Sequence, residues 1–142
     1  MYQRLLTPTE KYADPRVLVV DGRAARWLER ASRIARTIDG RWKVGCVIVR
    51  GGRVLAAAAN SQRNDPSVLD KDLWHISVHA EIAALRLAGN ARGATAYVAR
   101  VGRDGAVRHA QPCVRCQLAL DEAGVRVVWT SDPSYVASRI NR

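Results

Sequence analysis

Two short segments carry most of the chemical information in this sequence, SVHAE at residues 77–81 and QPCVRC at residues 111–116. Each of them leads into a stretch with helical periodicity. Cys113 and Cys116 are three positions apart, a spacing that places both sulfurs on one face at the start of a helix. The helix dipole and the free backbone N–H groups there lower the thiol pKa and favour the thiolate that a metal ion requires.

His79 adds a neutral imidazole to these two thiolates. Two thiolates and one imidazole suit Zn²⁺, and three protein ligands leave a fourth position for water, which is typical of catalytic zinc sites. Glu81 does not share a helix face with His79, because side chains at i and i+2 diverge. We therefore expect Glu81 to act as the catalytic general acid–base beside the metal and not as a ligand. A purely structural zinc site is the alternative, although the sequence offers no evident fourth ligand for it.

Helical and strand-like segments alternate along the rest of the chain. Apolar residues recur at helical spacing in the helices, while short apolar runs bounded by glycine or polar turns mark the strands. We predict helices at residues 23–38, 78–88, 113–123 and 134–140, and strands at residues 44–49, 53–58, 94–101, 106–110 and 125–129. This order predicts a three-layer α/β arrangement, in which helices cover a sheet. Since no linker divides the chain, we expect one domain over residues 1–142.

The composition of the 142 residues is that of an ordinary globular protein. With 48% hydrophobic and 25% charged residues, disorder and fibrous repeats are excluded. No apolar run approaches the roughly 20 residues that span a bilayer, and residues 1–10 lack the apolar core of a signal peptide. Three cysteines, an odd number, argue against a disulfide framework and for thiols or a metal site. We therefore expect a soluble, cytoplasmic protein with no membrane partner.

The formal net charge is +10, an excess that attracts phosphates and polyanions. One side of the first predicted helix carries Arg23, Arg26, Arg30 and Arg33, which we call the arginine face. This face is either a solvated helix surface or a stripe that attracts phosphates. Single-stranded nucleic acid is therefore kept as an alternative partner.

The pattern H-x-E followed by P-C-x-x-C is a signature of zinc deaminases that act on cytosine and adenine. Around it, nearly the whole chain resembles the cytidine/deoxycytidylate deaminase superfamily. Residues 43–49 resemble the first strand of that family, residues 53–60 its second strand, and residues 111–129 its metal helix and the strand that follows. The resemblance implies a three-layer α-β-α, cytidine-deaminase-like fold with a mixed, roughly five-stranded sheet. It also implies Zn²⁺ as the cofactor and hydrolytic loss of ammonia from the substrate.

The same resemblance implies roles for individual residues. Glu81 moves protons during the reaction, Asn60 contacts the sugar, and the backbone N–H of Ala80 contacts the base. A homo-oligomer is also expected.

The branches of the superfamily differ in ways that narrow the substrate. A long polar segment between Asn60 and His79, and the pair Ser131-Asp132 after the last strand, are most similar to the deoxycytidylate deaminases. We therefore expect a small-molecule cytosine (deoxy)nucleotide such as dCMP, which gives the uracil product and ammonia. The alternative is a deaminase acting on cytosine or adenine in single-stranded DNA or RNA, which the positive charge favours.

Residues 102–110 depart from the family pattern, in which the strand before Pro-Cys runs almost directly into that motif. The extra residues predict a hairpin beside the site. This hairpin is expected to reshape the mouth of the pocket, to contact a phosphate through Arg103 or Arg108, or to form an oligomer contact.

Other residues with reactive or aromatic side chains have simpler expected roles. Cys46 lies in an apolar strand and is expected in the core. His75 and His109 fall outside the motif and are expected at the surface or in the core. Trp74, in the loop before the motif, is expected to pack against the protein.

Overall fold

Eight helices and strands follow one another in the residues that the structure, a computed structural model, describes: 22–40, 42–61 and 78–131. In chain order they are α1 (Gly22–Ala35), β1 (Lys43–Arg50), β2 (Arg53–Ala59), α2 (Ala80–Ala88), β3 (Thr95–Val101), β4 (Val107–Arg108), α3 (Val114–Glu122) and β5 (Arg126–Trp129). None of the helices in these three ranges has both the length and the apolar character that a membrane span needs. The predicted helix at 134–140, most of the predicted polar loop before residue 77, Trp74 and His75 lie outside the described residues.

The sheet has the mixed, five-stranded arrangement that the resemblance implies. β1 pairs antiparallel with β2 on one side and with β3 on the other. On its far side, β3 pairs in parallel with β5 over residues 95–98 and antiparallel with the two-residue β4 over residues 100–101. Strands β4 and β5 thus share one edge of β3. Gly51 and Gly52, both at positive φ, form the tight turn between β1 and β2.

Helices cover both faces of this sheet, which confirms the three-layer prediction. Successive strand residues point to opposite faces, so Cys46 and Ile48 of β1 pack with α2 and α3, while Val47 and Val49 pack with α1. The buried side of α1 includes Trp27. The arginine face, on the other side of α1, is exposed to solvent.

Two helices begin later than the sequence predicts, and the difference bears on the site. His79 and Cys113 have extended backbone conformations and act as the N-caps of α2 and α3, so each helix begins at the residue that follows. Both side chains therefore lie at the positive end of a helix dipole. The predicted return strand at 106–110 is confined to Val107–Arg108.

The first helix lies very close to the sheet at Gly45. A Cβ atom at this position would overlap the carbonyl oxygen of Ala31 and would lie 3.0 Å from the backbone nitrogen of Ala35. Both contacts are with helix backbone, which cannot rotate away as a side chain can. The absence of a side chain at Gly45 therefore sets the distance between α1 and β1.

We predict that Gly45→Ala lowers the free energy of unfolding by about 2 kcal/mol or more, since overpacking typically costs about 1–3 kcal/mol. Gly22→Ala is the matched control, because a Cβ atom at Gly22 meets no atom within 4 Å. Urea unfolding of both variants, compared with the wild type, measures the difference. Equal midpoints for the two variants would contradict the close approach of α1 to the sheet.

Candidate active site

Three potential metal ligands meet where α2 and α3 begin. His79 caps α2, Cys113 caps α3, and Cys116 lies in the first turn of α3. Their ligand atoms all lie within 4.8 Å of one another. His79 Nδ1 is 3.3 Å from Cys116 Sγ and 3.6 Å from Cys113 Sγ. The structure thus brings together the three residues that the sequence predicts as zinc ligands.

The spacing of these atoms fits a zinc ion. Bonds of about 2.3 Å to sulfur and about 2.0 Å to nitrogen, at a tetrahedral angle, separate the two ligand atoms by about 3.5 Å. Two thiolates and one imidazole are also a donor set that zinc prefers. Within the described ranges, no fourth cysteine, histidine or carboxylate joins the group. These residues therefore supply three ligands, as a catalytic zinc site requires.

The electrostatics of Cys116 also favour a cation at this position. The lowered thiol pKa expected at the helix start is not found for Cys116: burial raises its pKa well above the usual range, and the charges of Glu81 and Cys113 raise it further. A thiol in such surroundings ionises only when a nearby positive charge compensates for the burial. A divalent ion held between two thiolates offsets their charges and provides that compensation.

Glu81 lies next to the metal ligands without joining their group. It is the second residue of α2 and is only 5% exposed. Burial raises the pKa of its carboxyl group, an effect opposed by a backbone hydrogen bond, by the charge of His79 and by a hydrogen bond with Cys116. The carboxyl group is therefore close enough to the ligand cluster for the proton-transfer role that the sequence suggests.

A cavity of about 430 Å³ opens in front of these residues. Its volume lies within the roughly 300–1,000 Å³ of typical small-molecule sites. The residues that line it are Trp42, Val44, Asn60, His79, Ala80, Glu81, Arg100, His109, Ala110, Gln111 and Cys113. Every predicted site residue except the buried Cys116 therefore lines one cavity.

Asn60 has a structural role in addition to its position in the cavity wall. Its Oδ1 accepts a hydrogen bond from the backbone N–H of Val44 at 2.8 Å, and its Nδ2 donates one to the carbonyl oxygen of Trp42 at 2.9 Å. These bonds hold the carboxamide where β1 begins and β2 ends. Because an amide side chain has up to four hydrogen-bonding positions, this bracing is compatible with a contact to substrate.

The sequence does not predict four residues of the cavity wall: Trp42, Arg100, His109 and Gln111. His109 was expected at the surface or in the core, and the structure corrects this. The next residue, Ala110, donates its backbone N–H to the carbonyl oxygen of Thr130 at 2.9 Å. β4 therefore pairs with β3 over only two residues, and the chain after it follows the end of β5. This path brings His109 to the cavity.

A signal for Arg100 is present in the sequence. Alternate residues of a strand share a face, and Ala96 and Val98 of β3 belong to the core beneath α2 and α3. Arg100 continues that row beyond the apolar part of the strand. An arginine at the end of an inward-facing row is the pattern that could have predicted its place in the cavity.

The hairpin at 102–110 does not bring either of the two predicted arginines to the cavity. Arg108 donates a hydrogen bond from Nη2 to Asp104 Oδ2 at 3.0 Å, and Arg103 is exposed. Neither of them lines the cavity, whereas Arg100, just before the hairpin, does.

Comparison with known proteins identifies the family. The model of the cytidine and deoxycytidylate deaminase zinc-binding region matches residues 22–131. The chain belongs to this family. The resemblance to this family seen in the sequence is therefore confirmed.

This chain matches a segment of a longer relative. Riboflavin biosynthesis protein RibD of Escherichia coli (strain K12) is 39% identical over 75 residues, which cover 52% of this chain and 17% of RibD. The chain therefore spans a small part of that relative's length.

Solved structures share the fold. A dCMP deaminase from cyanophage S-TIM5, in complex with dCMP and dUMP, is 19% identical with a TM-score of 0.54, over 96% of this chain and 95% of the other. A structure from work on tRNA:A34 deaminases is 25% identical with a TM-score of 0.54, over 80% and 81% of the two chains. The expected cytidine-deaminase-like fold is therefore confirmed.

We predict that the purified protein contains one zinc ion per chain and that Cys113→Ala loses it. This variant should also unfold more easily, because the free energy of metal binding adds to that of folding. Cys46→Ala is the control, since Cys46 is a buried free cysteine outside the ligand group. Elemental analysis and thermal unfolding measure both effects. Loss of zinc from Cys46→Ala, or its retention in Cys113→Ala, would contradict the ligand assignment.

Proposed function

We propose that this protein is a zinc-dependent hydrolytic deaminase of a free cytosine (deoxy)nucleotide such as dCMP, which it converts to the uracil product and ammonia. The observation that carries the proposal is a cavity wall that combines two chemically different groups. Glu81 and two metal ligands form one group, and Arg100 supplies a cation to the same cavity. A substrate that has both a ring amine and a phosphate matches both groups.

The reaction requires that water replaces an amine on a ring carbon. Zinc, when held by His79, Cys113 and Cys116, supplies a Lewis acid that makes water nucleophilic near neutral pH. Glu81 takes a proton from the attacking water and delivers one to the amine nitrogen, so that the C–N bond breaks and ammonia leaves. Its burial keeps bulk water from competing for these protons.

Two further residues support binding of the ring and its sugar. The first N–H groups of a helix have no partner within the helix, so the backbone N–H of Ala80, the first residue of α2, suits an acceptor on the base. Asn60 is held rigidly by Val44 and Trp42, which suits a residue that positions a sugar hydroxyl.

A deaminase of single-stranded DNA or RNA is the second candidate. The net charge of +10 and the similarity to tRNA:A34 deaminases favour it. The arginine face counts against it, because α1 packs on one face of the sheet while α2 and α3, which begin at the candidate site, pack on the other. The exposed arginines of α1 therefore do not surround the cavity.

The chemistry of the metal-ligating thiols also supports a location in the cell. Cysteine thiols that serve as metal ligands persist in a reducing compartment, which supports the cytoplasm as the location.

The single domain over residues 1–142 and the homo-oligomer stay predictions. The mass of the native protein in solution checks the oligomeric state.

We predict that Glu81→Gln lowers turnover by about 10²-fold or more, because an amide of the same size cannot take the proton. Zinc content and unfolding temperature should stay near those of the wild type. Glu122→Gln, which neutralises an exposed carboxylate at the end of α3, is the control and should leave turnover unchanged. Retention of more than roughly a tenth of the wild-type rate by Glu81→Gln would contradict its role as general acid–base.

We predict that ammonia release is faster from dCMP or CMP than from deoxycytidine or a short single-stranded oligonucleotide assayed in parallel. Affinity for dCMP should depend weakly on salt, whereas each phosphate neutralised on a single strand contributes a slope of about −0.7 in log affinity against log salt. Efficient deamination of the oligonucleotide with no reaction of dCMP would overturn the first choice and support the second.

A further inference from the structure

Arg100 occupies a position in the cavity wall that the proposed chemistry of deamination does not use. It lies near the end of β3, where it pairs with Val44 of β1 on one side and with Arg108 of β4 on the other. Among the described residues that line the cavity, it is the only arginine. The structure therefore places one arginine in the wall of the cavity that Glu81 also lines.

The side chain of Arg100 is held by contacts on two sides. Its Nε donates a hydrogen bond to the carbonyl oxygen of His109 at 3.0 Å. Its guanidinium group lies over the ring of Trp42, 5.0 Å from the ring centroid, in the range of a cation–π interaction. A guanidinium group fixed in one plane keeps its fork of donors in a constant direction.

The partners of Arg100 are themselves fixed. Asn60 holds Trp42 through the backbone carbonyl of the tryptophan. The hairpin before His109 is tied to the end of β5, because Thr130 Oγ1 donates to the carbonyl oxygen of Arg108 at 2.8 Å. The extra residues 102–110 therefore place the carbonyl oxygen of His109 against Arg100.

The neighbouring polar groups add hydrogen-bonding capacity to this part of the wall. His109 and Gln111 both line the cavity, and His109 Nε2 lies 3.4 Å from Gln111 Oε1. The two other arginines of this region do not contribute, since Arg108 is paired with Asp104 and Arg103 is exposed. This cation and its polar neighbours form a wall that suits an anionic group.

We propose that Arg100 is a specificity-determining residue that binds the phosphate of the substrate, a proposal that rests on the proposed function. A guanidinium group matches phosphate geometry because two parallel N–H groups donate to two phosphate oxygens. The wall formed by Trp42, Arg100, His109 and Gln111 is thus the phosphate subsite, and it selects a nucleotide over a nucleoside.

Arg100→Gln tests the proposal, with Arg103→Gln as the matched control. Both variants remove one positive charge from the same region, but Arg103 lies outside the cavity. Arg100→Gln should lower kcat/KM for dCMP by roughly 10- to 100-fold, the usual value of a hydrogen bond to a charged group, and should leave deoxycytidine unaffected. Arg103→Gln should change neither. An equal loss on both substrates, or no loss on dCMP, would overturn the proposal.

A binding measurement separates failure of this proposal from failure of the proposed function. Calorimetry with dUMP, deoxyuridine and a short single-stranded oligonucleotide, on zinc-loaded wild type and both variants, measures binding at the subsite without turnover. Weaker binding of dUMP, but not of deoxyuridine, in Arg100→Gln supports the subsite even if dCMP is not the substrate. Equal affinity of the wild type for dUMP and deoxyuridine would overturn it. A loss confined to a short oligonucleotide would overturn it in favour of a polynucleotide backbone.

Discussion

The buried thiolate of Cys116 does not persist beside the Glu81 carboxylate unless a cation offsets their charge, and the active-site half of the described structure is arranged around that constraint. His79, Cys113 and Cys116 come from the caps and first turns of two helices that begin side by side on one face of the sheet. The sheet supports this meeting point. Its opposite face is covered by α1, which Gly45 allows to pack closely, so the strands beneath the ligands are buried on both sides.

The chemistry and the proposed selectivity come from different parts of the fold. Glu81 and the metal ligands belong to two helix N-termini, whereas Arg100 and His109 belong to the end of a strand and to the connection that follows it. A change in that connection can alter the cavity wall without moving the ligands.

The metal motif was predictable from the sequence because its geometry is local. Two cysteines three residues apart at a helix start must share a face, and the continuous apolar run at residues 44–49 of β1 predicts burial on both sides of the sheet. The cavity wall was not predictable in this way. Arg100 reaches it through pairing with Val44, and His109 through hydrogen bonds that involve Thr130, contacts between residues that are distant in sequence. Arg103 and Arg108, the two arginines named from the sequence, do not line this cavity.

X-ray absorption at the zinc edge of the wild-type protein tests the central claim most directly, because it counts and identifies the atoms bound to the metal. We predict two sulfur atoms at about 2.3 Å and two lighter atoms at about 2.0 Å, one of which is the imidazole nitrogen of His79. Cys116→Ser should reduce the sulfur count by one. A shell with three or four sulfur atoms, or with none, would contradict a catalytic centre built from His79, Cys113 and Cys116.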